Sequence, residues 1–288
     1  MEDIKSSVRT AAIINKYGFD FKKRFGQNFL IDDRVLDKII DASGITGEDT
    51  VLEIGPGIGT LTERLLQKAK SVIAVEIDRD LVAILQETLA DYKNLVLINN
   101  DILKVDIREL AEKYNGGNSI KVIANLPYYI TTPIIMGIYE SGAPVRDITV
   151  MVQKEVARRM QAGPGSKDYG ALSLAVAYYA KPYIAASVPR NCFMPRPNVD
   201  SAVIRLTSFD EPPVKVKDEK LMFRIIRAVF NQRRKTMVNS LSGAQELSLS
   251  KEEARRAVTA AGLPEDIRGE KLTLEEFART ADLIGGYK

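Results

Sequence analysis

The chain has 288 residues, 45% of them hydrophobic, and 41 Lys and Arg against 38 Asp and Glu leave a formal net charge of +3. That supplies core for one large and one small domain, while the absence of histidine and the single cysteine, Cys192, exclude Ser-His-Asp triads, imidazole acid–base catalysis, His-ligated metals and a disulfide framework. No apolar run approaches the ~20 residues of a membrane span and the start at Met1-Glu2-Asp3 lacks a secretory pattern, so a cytoplasmic protein with no membrane contact and no metal is expected.

In chain order, Val35, Leu36, Ile39 and Ile40 recur at helical spacing, with Gly44 where that helix would end. Short β-rich runs follow at Val51-Leu52-Glu53-Ile54, 72–75, 95–98, 122–124 and 148–152, alternating with helix-like segments. That alternation predicts a parallel α/β sheet. Thr60 and Glu63 have capping-box spacing directly after a glycine cluster. Between Tyr183 and Leu206 two further strands flank a proline-rich loop, Pro189 to Pro197, and Glu211-Pro212-Pro213 then breaks the pattern. Beyond it only helices are expected: Leu221, Met222, Ile225, Ile226, Val229 and Phe230 share a face, and Ser250/Glu253 and Thr273/Glu276 read as capping boxes. The predicted organisation is a catalytic domain over 1–208 and a small all-α domain over 209–288.

The stretch Glu53-Ile54-Gly55-Pro56-Gly57-Ile58-Gly59 follows a strand and opens a helix, so its glycines let backbone approach a ligand at the helix N-terminus. A tight β-to-α turn would look the same in isolation. Glu76 stands at the end of the next strand, about 20 residues on, where an acid can accept hydrogen bonds from both ribose hydroxyls. Asp101, in Asn99-Asn100-Asp101-Ile102, ends the third strand on the same edge; it suits an exocyclic amine and equally suits a solvated turn. Gly-x-Gly-x-Gly departs from the dinucleotide fingerprint, and the sequence resembles the Rossmann-like S-adenosylmethionine methyltransferases.

At the end of the fourth strand stands Asn125-Leu126-Pro127-Tyr128, which resembles the Asn-Pro-Pro-Tyr-type motif of enzymes that methylate amino nitrogens. The amino group of adenine is a poor nucleophile because its lone pair is delocalised into the ring. Hydrogen bonds from it to the Asn125 side-chain oxygen and the Leu126 carbonyl would favour a pyramidal nitrogen aimed at a methyl sulfonium. Pro127 would stiffen the loop and Tyr128 would stack on the base. Phe193, in the proline-rich loop, is a candidate second wall of the base sandwich, or an ordinary core phenylalanine.

Together these pieces resemble the ribosomal RNA adenine N6,N6-dimethyltransferase family from about Lys22 to the C-terminus. The matching segments are Phe25-Gly26-Gln27-Asn28-Phe29-Leu30, Glu53 to Gly57, Glu76, Asp101, Asn125 to Tyr128, Gln153-Lys154-Glu155-Val156-Ala157 and Asn198-Val199-Asp200-Ser201-Ala202-Val203. The resemblance implies a Rossmann-like class I methyltransferase sheet and S-adenosylmethionine as cofactor, held by Asn28, Leu30, Gly55, Gly57, Glu76, Ile77, Asp101, Ile102 and Asn125. It also implies dimethylation of two adjacent adenines in a hairpin loop of small-subunit ribosomal RNA, linked to ribosome biogenesis. Phe193-Met194-Pro195-Arg196-Pro197 and Phe230 to Thr236 resemble the small-subunit branch rather than the erythromycin-resistance branch, which modifies large-subunit RNA.

Three basic clusters are candidates for phosphate contact: Lys22, Lys23 and Arg24; Lys154 and Arg158; and Arg224, Arg227, Arg233, Arg234 and Lys235. Each could also be a solvated face. The expected partners are ribosomal RNA and the small-subunit precursor, with the protein acting as a monomer. A DNA adenine methyltransferase, an idle ribosome-assembly factor and an NAD(P)-dependent oxidoreductase are the alternatives. The intact Asn125 to Tyr128 motif argues against idleness.

Overall fold

The computed structural model describes residues 6–18 and 27–286. Two compact units divide the chain: Met1–Ala157 with Pro182–Ser208, and Arg158–Lys181 with Phe209–Lys288. The first contains helix α1 (Ser6–Tyr17), the short strand β1 (Phe29–Leu30) and helix α2 (Asp33–Ser43). Strands β2 (Thr50–Ile54), β3 (Ser71–Glu76), β4 (Leu95–Asn99), β5 (Ile120–Asn125) and β6 (Val145–Gln153) then alternate with helices α3 (Thr60–Leu66), α4 (Arg79–Thr88), α5 (Ile107–Asn115) and α6 (Thr131–Glu140). After α7 (Lys154–Gln161) and α8 (Ala171–Tyr179) come β7 (Ala180–Val188), β8 (Phe193–Met194) and β9 (Ser201–Ser208).

β2 is buried at every position, as a strand covered by helices on both faces must be. It pairs in parallel with β3 on one side and β5 on the other, β3 continues to β4, and β5 continues to β6. β9 closes antiparallel onto β6, giving the order β4-β3-β2-β5-β6-β9-β7. The chain therefore winds outward in one direction from β2 and in the other from β5. The crevice at their carboxyl ends is the switch point where open α/β sheets bind ligands. This is the parallel α/β arrangement expected from the alternating pattern, in the Rossmann-like form that the resemblance implies.

Helix α2 buries Val35, Leu36, Ile39 and Ile40, the face predicted from spacing, and ends at Gly44 in the left-handed conformation, φ 54°. The opposite edge of the sheet is closed by charge: Lys121, only 3% exposed, donates from Nζ to the Gly44 carbonyl at 2.6 Å and pairs with Asp49 at 3.2 Å. The Thr60/Glu63 capping box does not form. Gly59, at φ 86°, occupies the cap position, Thr60 lies inside the helix, and the Glu63 carboxylate pairs with Arg9. A Cβ at Gly59 would sit 2.8 Å from the Leu85 side chain, so both conformation and space select glycine there.

The second unit contains α9 (Glu219–Asn231), α10 (Met237–Ser242), α11 (Lys251–Ala260) and α12 (Leu274–Gly285). Ser250/Glu253 and Thr273/Glu276 form the predicted capping boxes. The unit also takes in Arg158–Lys181, with α8, from within the predicted 1–208 domain. The cause is aromatic packing: Tyr178 and Tyr179 lie 5.4 and 5.6 Å from Phe223, and the Tyr178 hydroxyl donates to Glu219 at 3.1 Å. Helix α8 is apolar on most sides, so its pattern does not show which partner it joins.

Candidate active site

The switch-point crevice is a cavity of about 190 Å³ whose lining includes Asn28, Leu30, Gly55, Gly57, Glu76, Ile77, Asp101, Ile102 and Asn125. Each of the nine residues expected to hold a cofactor therefore meets the same space. The glycine turn is tied into the sheet by the Gly55 N–H, which donates to the Val75 carbonyl at 2.9 Å. Gly57 has φ 61°, and a Cβ there would meet the Phe29 ring at 3.1 Å. Only glycine lets that ring and a ligand share the wall.

Glu76 is 4% exposed and orients its carboxylate by accepting from the Gly57 N–H at 3.2 Å and the Asp78 N–H at 2.9 Å. Burial raises its carboxyl above the usual range, and the two N–H donors work against that rise. Neighbouring Glu53, in the cavity wall and 2% exposed, is pushed by burial up to about 8 and so carries a proton at neutral pH. Asp101 caps the 3₁₀ turn Ile102–Lys104 by accepting from the Leu103 N–H at 3.0 Å. The solvated-turn reading and the ligand reading of Asp101 are accordingly compatible, since the capping residue also lines the cavity.

Asn125 ends β5, and its side-chain amide donates to the Asn28 carbonyl at 3.1 Å. That bond fixes the rotamer and turns the amide oxygen away as an acceptor. The Leu126 N–H donates to the Met151 carbonyl at 3.1 Å, which anchors the loop to β6. Tyr128 is half-buried, its hydroxyl is 2.6 Å from the Ser201 hydroxyl, and burial raises its pKa, so the phenol stays neutral. Asn125 to Tyr128 all line the cavity.

Phe193 is the candidate second wall of the base sandwich, or an ordinary core phenylalanine. It is 4% exposed, pairs with Leu30 through the antiparallel β1–β8 contact, belongs to the core cluster with Val188 and Cys192, and is not part of the cavity wall. Its immediate neighbours are apolar, so burial is the lower-energy place for its ring. What β8 does instead is hold β1, and with it Asn28 and Phe29, at the cavity. Reading the sequence missed Gln27, whose side chain donates to Asp78 at 3.0 Å, together with Phe29, Glu53 and Tyr129, all of which line the cavity. Gln27, Phe29 and Glu53 lay inside segments already singled out. Tyr129 gave no signal beyond following Tyr128.

Of the basic clusters, Lys22, Lys23 and Arg24 lie outside the described residues. Arg158, Arg227, Arg234 and Lys235 are exposed, and Lys154 and Arg224 are partly buried. Arg233 differs from its neighbours: its guanidinium donates to the Tyr169 carbonyl at 2.9 Å and the Lys167 carbonyl at 3.2 Å, so it braces the loop before α8. Among the described residues no cluster of acids and cysteine could hold a metal ion, and no helix is long and apolar enough to cross a membrane.

The arrangement fits S-adenosylmethionine: a buried carboxylate for ribose hydroxyls, a glycine cradle that a Cβ would fill, and Asp101 at the end of the neighbouring strand. Residues 18–284 match the profile of the family described as ribosomal RNA adenine dimethylase. The chain is 62% identical over 277 residues, 96% of each chain, to the ribosomal RNA small subunit methyltransferase A of Lachnoclostridium phytofermentans. It is 49% identical over 284 residues to the protein of that name from Clostridioides difficile, covering 99% of this chain and 98% of the relative. Among solved structures, a dimethyladenosine transferase from Plasmodium falciparum superposes with a TM-score of 0.70 at 26% identity, over 88% of this chain and 95% of that one. The 23S rRNA methyltransferase ErmE shares the fold, with a TM-score of 0.65 at 24% identity over 90% of this chain and 100% of its own.

Proposed function

This chain belongs to the ribosomal RNA adenine dimethylase family, and from that membership we propose that it dimethylates N6 of two adjacent adenines in a hairpin loop of small-subunit ribosomal RNA. The observation that carries the reading is Asn125: one of its two amide N–H groups is held by the Asn28 carbonyl, which fixes the orientation of the oxygen that would receive the adenine amine. S-adenosylmethionine supplies an electrophilic methyl on a sulfonium. Glu76 would hold the ribose, Asp101 the adenine amine, and Asn28, Leu30 and the glycine turn the remainder. Asn125 Oδ1 and the Leu126 carbonyl would accept both amine hydrogens and keep the nitrogen lone pair out of the ring. Neutral Tyr128, fixed by Ser201, would stack on the base without adding charge. No histidine would be needed, because the carbon–nitrogen bond would form as the sulfur–methyl bond breaks to leave the neutral thioether, and the methylated amine, then strongly acidic, would pass its proton to water.

Dimethylation requires that the pocket still accept N6-methyladenine. The first methyl adds apolar surface beside Tyr128 and Leu126, so the monomethylated base need not bind worse than the unmodified one. Incubation of small-subunit precursor, naked RNA and DNA with labelled cofactor, followed by mass spectrometry of the nucleosides, tests the proposal. The expected end product is N6,N6-dimethyladenine in the ribosomal substrate. A plateau at monomethyladenine, or equal transfer to DNA, overturns it.

The small helical domain is proposed as the phosphate-binding surface, the protein acting as a monomer in the cytoplasm on the small-subunit precursor. Arg234 and Lys235 are two adjacent exposed cations of the cluster. Replacing both by alanine is expected to weaken RNA binding and to reduce the slope of log affinity against log salt by roughly one to two units, with cofactor affinity unchanged. Filter binding across a salt series checks it. Arg233→Ala, by contrast, should lower the melting temperature, because it leaves the Tyr169 and Lys167 carbonyls without their donor.

A further inference from the structure

Three large apolar side chains are exposed at the rim of the cavity: Ile77 at 43%, Leu103 at 51% and Tyr129 at 55%. One exposed apolar residue is ordinary, but several around the mouth of a pocket mark a surface that is covered when a ligand binds. Tyr129 sits in the single 3₁₀ turn Tyr128–Ile130, between two fixed points. On one side the Tyr128 hydroxyl is held by Ser201; on the other the Ile130 N–H donates to the Pro127 carbonyl at 3.3 Å. The backbone is therefore set while the Tyr129 ring is left toward solvent. Helix α6, which this turn leads into, packs against the turn Ile102–Lys104, so Tyr129 and Leu103 approach the same cavity from two neighbouring elements.

Asp101 caps the turn that carries Leu103, so the Leu103 side of the cavity mouth lies beside that acid. Burial raises the Tyr129 phenol, and the charges of Asp101 and then Glu76 raise it further. Both are the residues assigned to the adenosine of the cofactor, whereas Asn125 and Tyr128 define the place of the target base. The hydroxyl stays protonated, so it can face the two acids as a donor without adding a third negative charge.

We propose that Tyr129 covers the adenosine half of the bound cofactor, so that its ring and Leu103 seal the cavity mouth while Tyr128 serves the RNA base. The inference rests on the cofactor assignment above. It gives consecutive tyrosines separate tasks, one pinned and half-buried beside the catalytic amide, the other free to close over a ligand.

Calorimetric titration of S-adenosylmethionine and S-adenosylhomocysteine into the full chain tests it with Tyr129→Phe, Tyr129→Leu and Tyr129→Ala. An aromatic ring stacked on a base corresponds to roughly a five- to hundredfold change in affinity. Alanine should weaken both ligands by that factor, leucine by less, and phenylalanine by no more than the loss of one exposed hydroxyl. The KM for RNA at saturating cofactor should not move. Wild-type cofactor affinity in the alanine and leucine variants overturns the proposal, and an accompanying rise in the KM for RNA would give the ring to the nucleic acid instead. Glu76→Ala in the same series separates the two levels: if it loses the cofactor while Tyr129→Ala does not, the lid fails and the site stands.

Discussion

Replacing Asn125 by alanine is expected to reduce methyl transfer by a factor on the order of ten to a thousand while the protein stays folded and still binds RNA. The side chain is partly exposed, so the substitution opens no core cavity, and the Leu126 N–H still anchors the loop on Met151. What disappears is an acceptor that the Asn28 carbonyl holds in one orientation. A positioned acceptor acts on the reacting amine, so the loss should fall on kcat rather than on the KM for RNA. Asn125→Asp sharpens the test, because it supplies acceptor oxygens but repels the Asn28 carbonyl and loses that fixed orientation. Single-turnover kinetics at saturating cofactor measure the effect, and a turnover rate near wild type in the alanine variant would make the motif structural only.

Glu76→Ala should weaken S-adenosylmethionine by roughly tenfold or more, the loss of about 1.5–3 kcal/mol typical of a charge-assisted contact. The carboxylate is pre-oriented by the Gly57 and Asp78 N–H groups, so part of the loss reflects a Gly57 N–H left without its acceptor, while the Gly55–Val75 backbone bond still ties the turn to β3. Glu76→Gln separates the two contributions, since it keeps the shape and removes the charge. Burial also sets a pH dependence. Because the folded carboxyl lies above the usual carboxylate range, it takes up its proton early as pH falls, and cofactor affinity should decline at a higher pH than for an exposed glutamate. The same raised value means that this group's contribution to stability falls as pH rises between its ordinary and its folded value. Calorimetry across pH checks both, and an affinity unchanged in Glu76→Ala would reject the ribose assignment.

The sequence by itself determined the succession of strands along the chain, the glycine turn, the two acids at strand ends and the Asn125 loop. All of these depend on local rules: an apolar run of five residues between turns makes a buried strand, and the carboxyl ends of parallel strands share one edge. Residues placed at those ends, Glu76, Asp101 and Asn125, had to converge. Helix caps were legible for the same reason where the cap residue had a free side chain, as at Ser250 and Thr273, and illegible at Thr60, where the left-handed turn at Gly59 took the cap position.

Only the tertiary structure decided matters that depend on contacts distant in the chain. Phe193 could face a base or a core until its pairing with Leu30, far away in sequence, buried it. Arg233 resembled its basic neighbours until the Lys167 and Tyr169 carbonyls claimed its guanidinium. Helix α8, apolar on most sides, carried no stripe to reveal its partner, and the aromatic contact of Tyr178 and Tyr179 with Phe223 assigned it. In each case one side chain had two environments of similar chemistry open to it, and periodicity, which reports only which face is apolar, cannot distinguish between them.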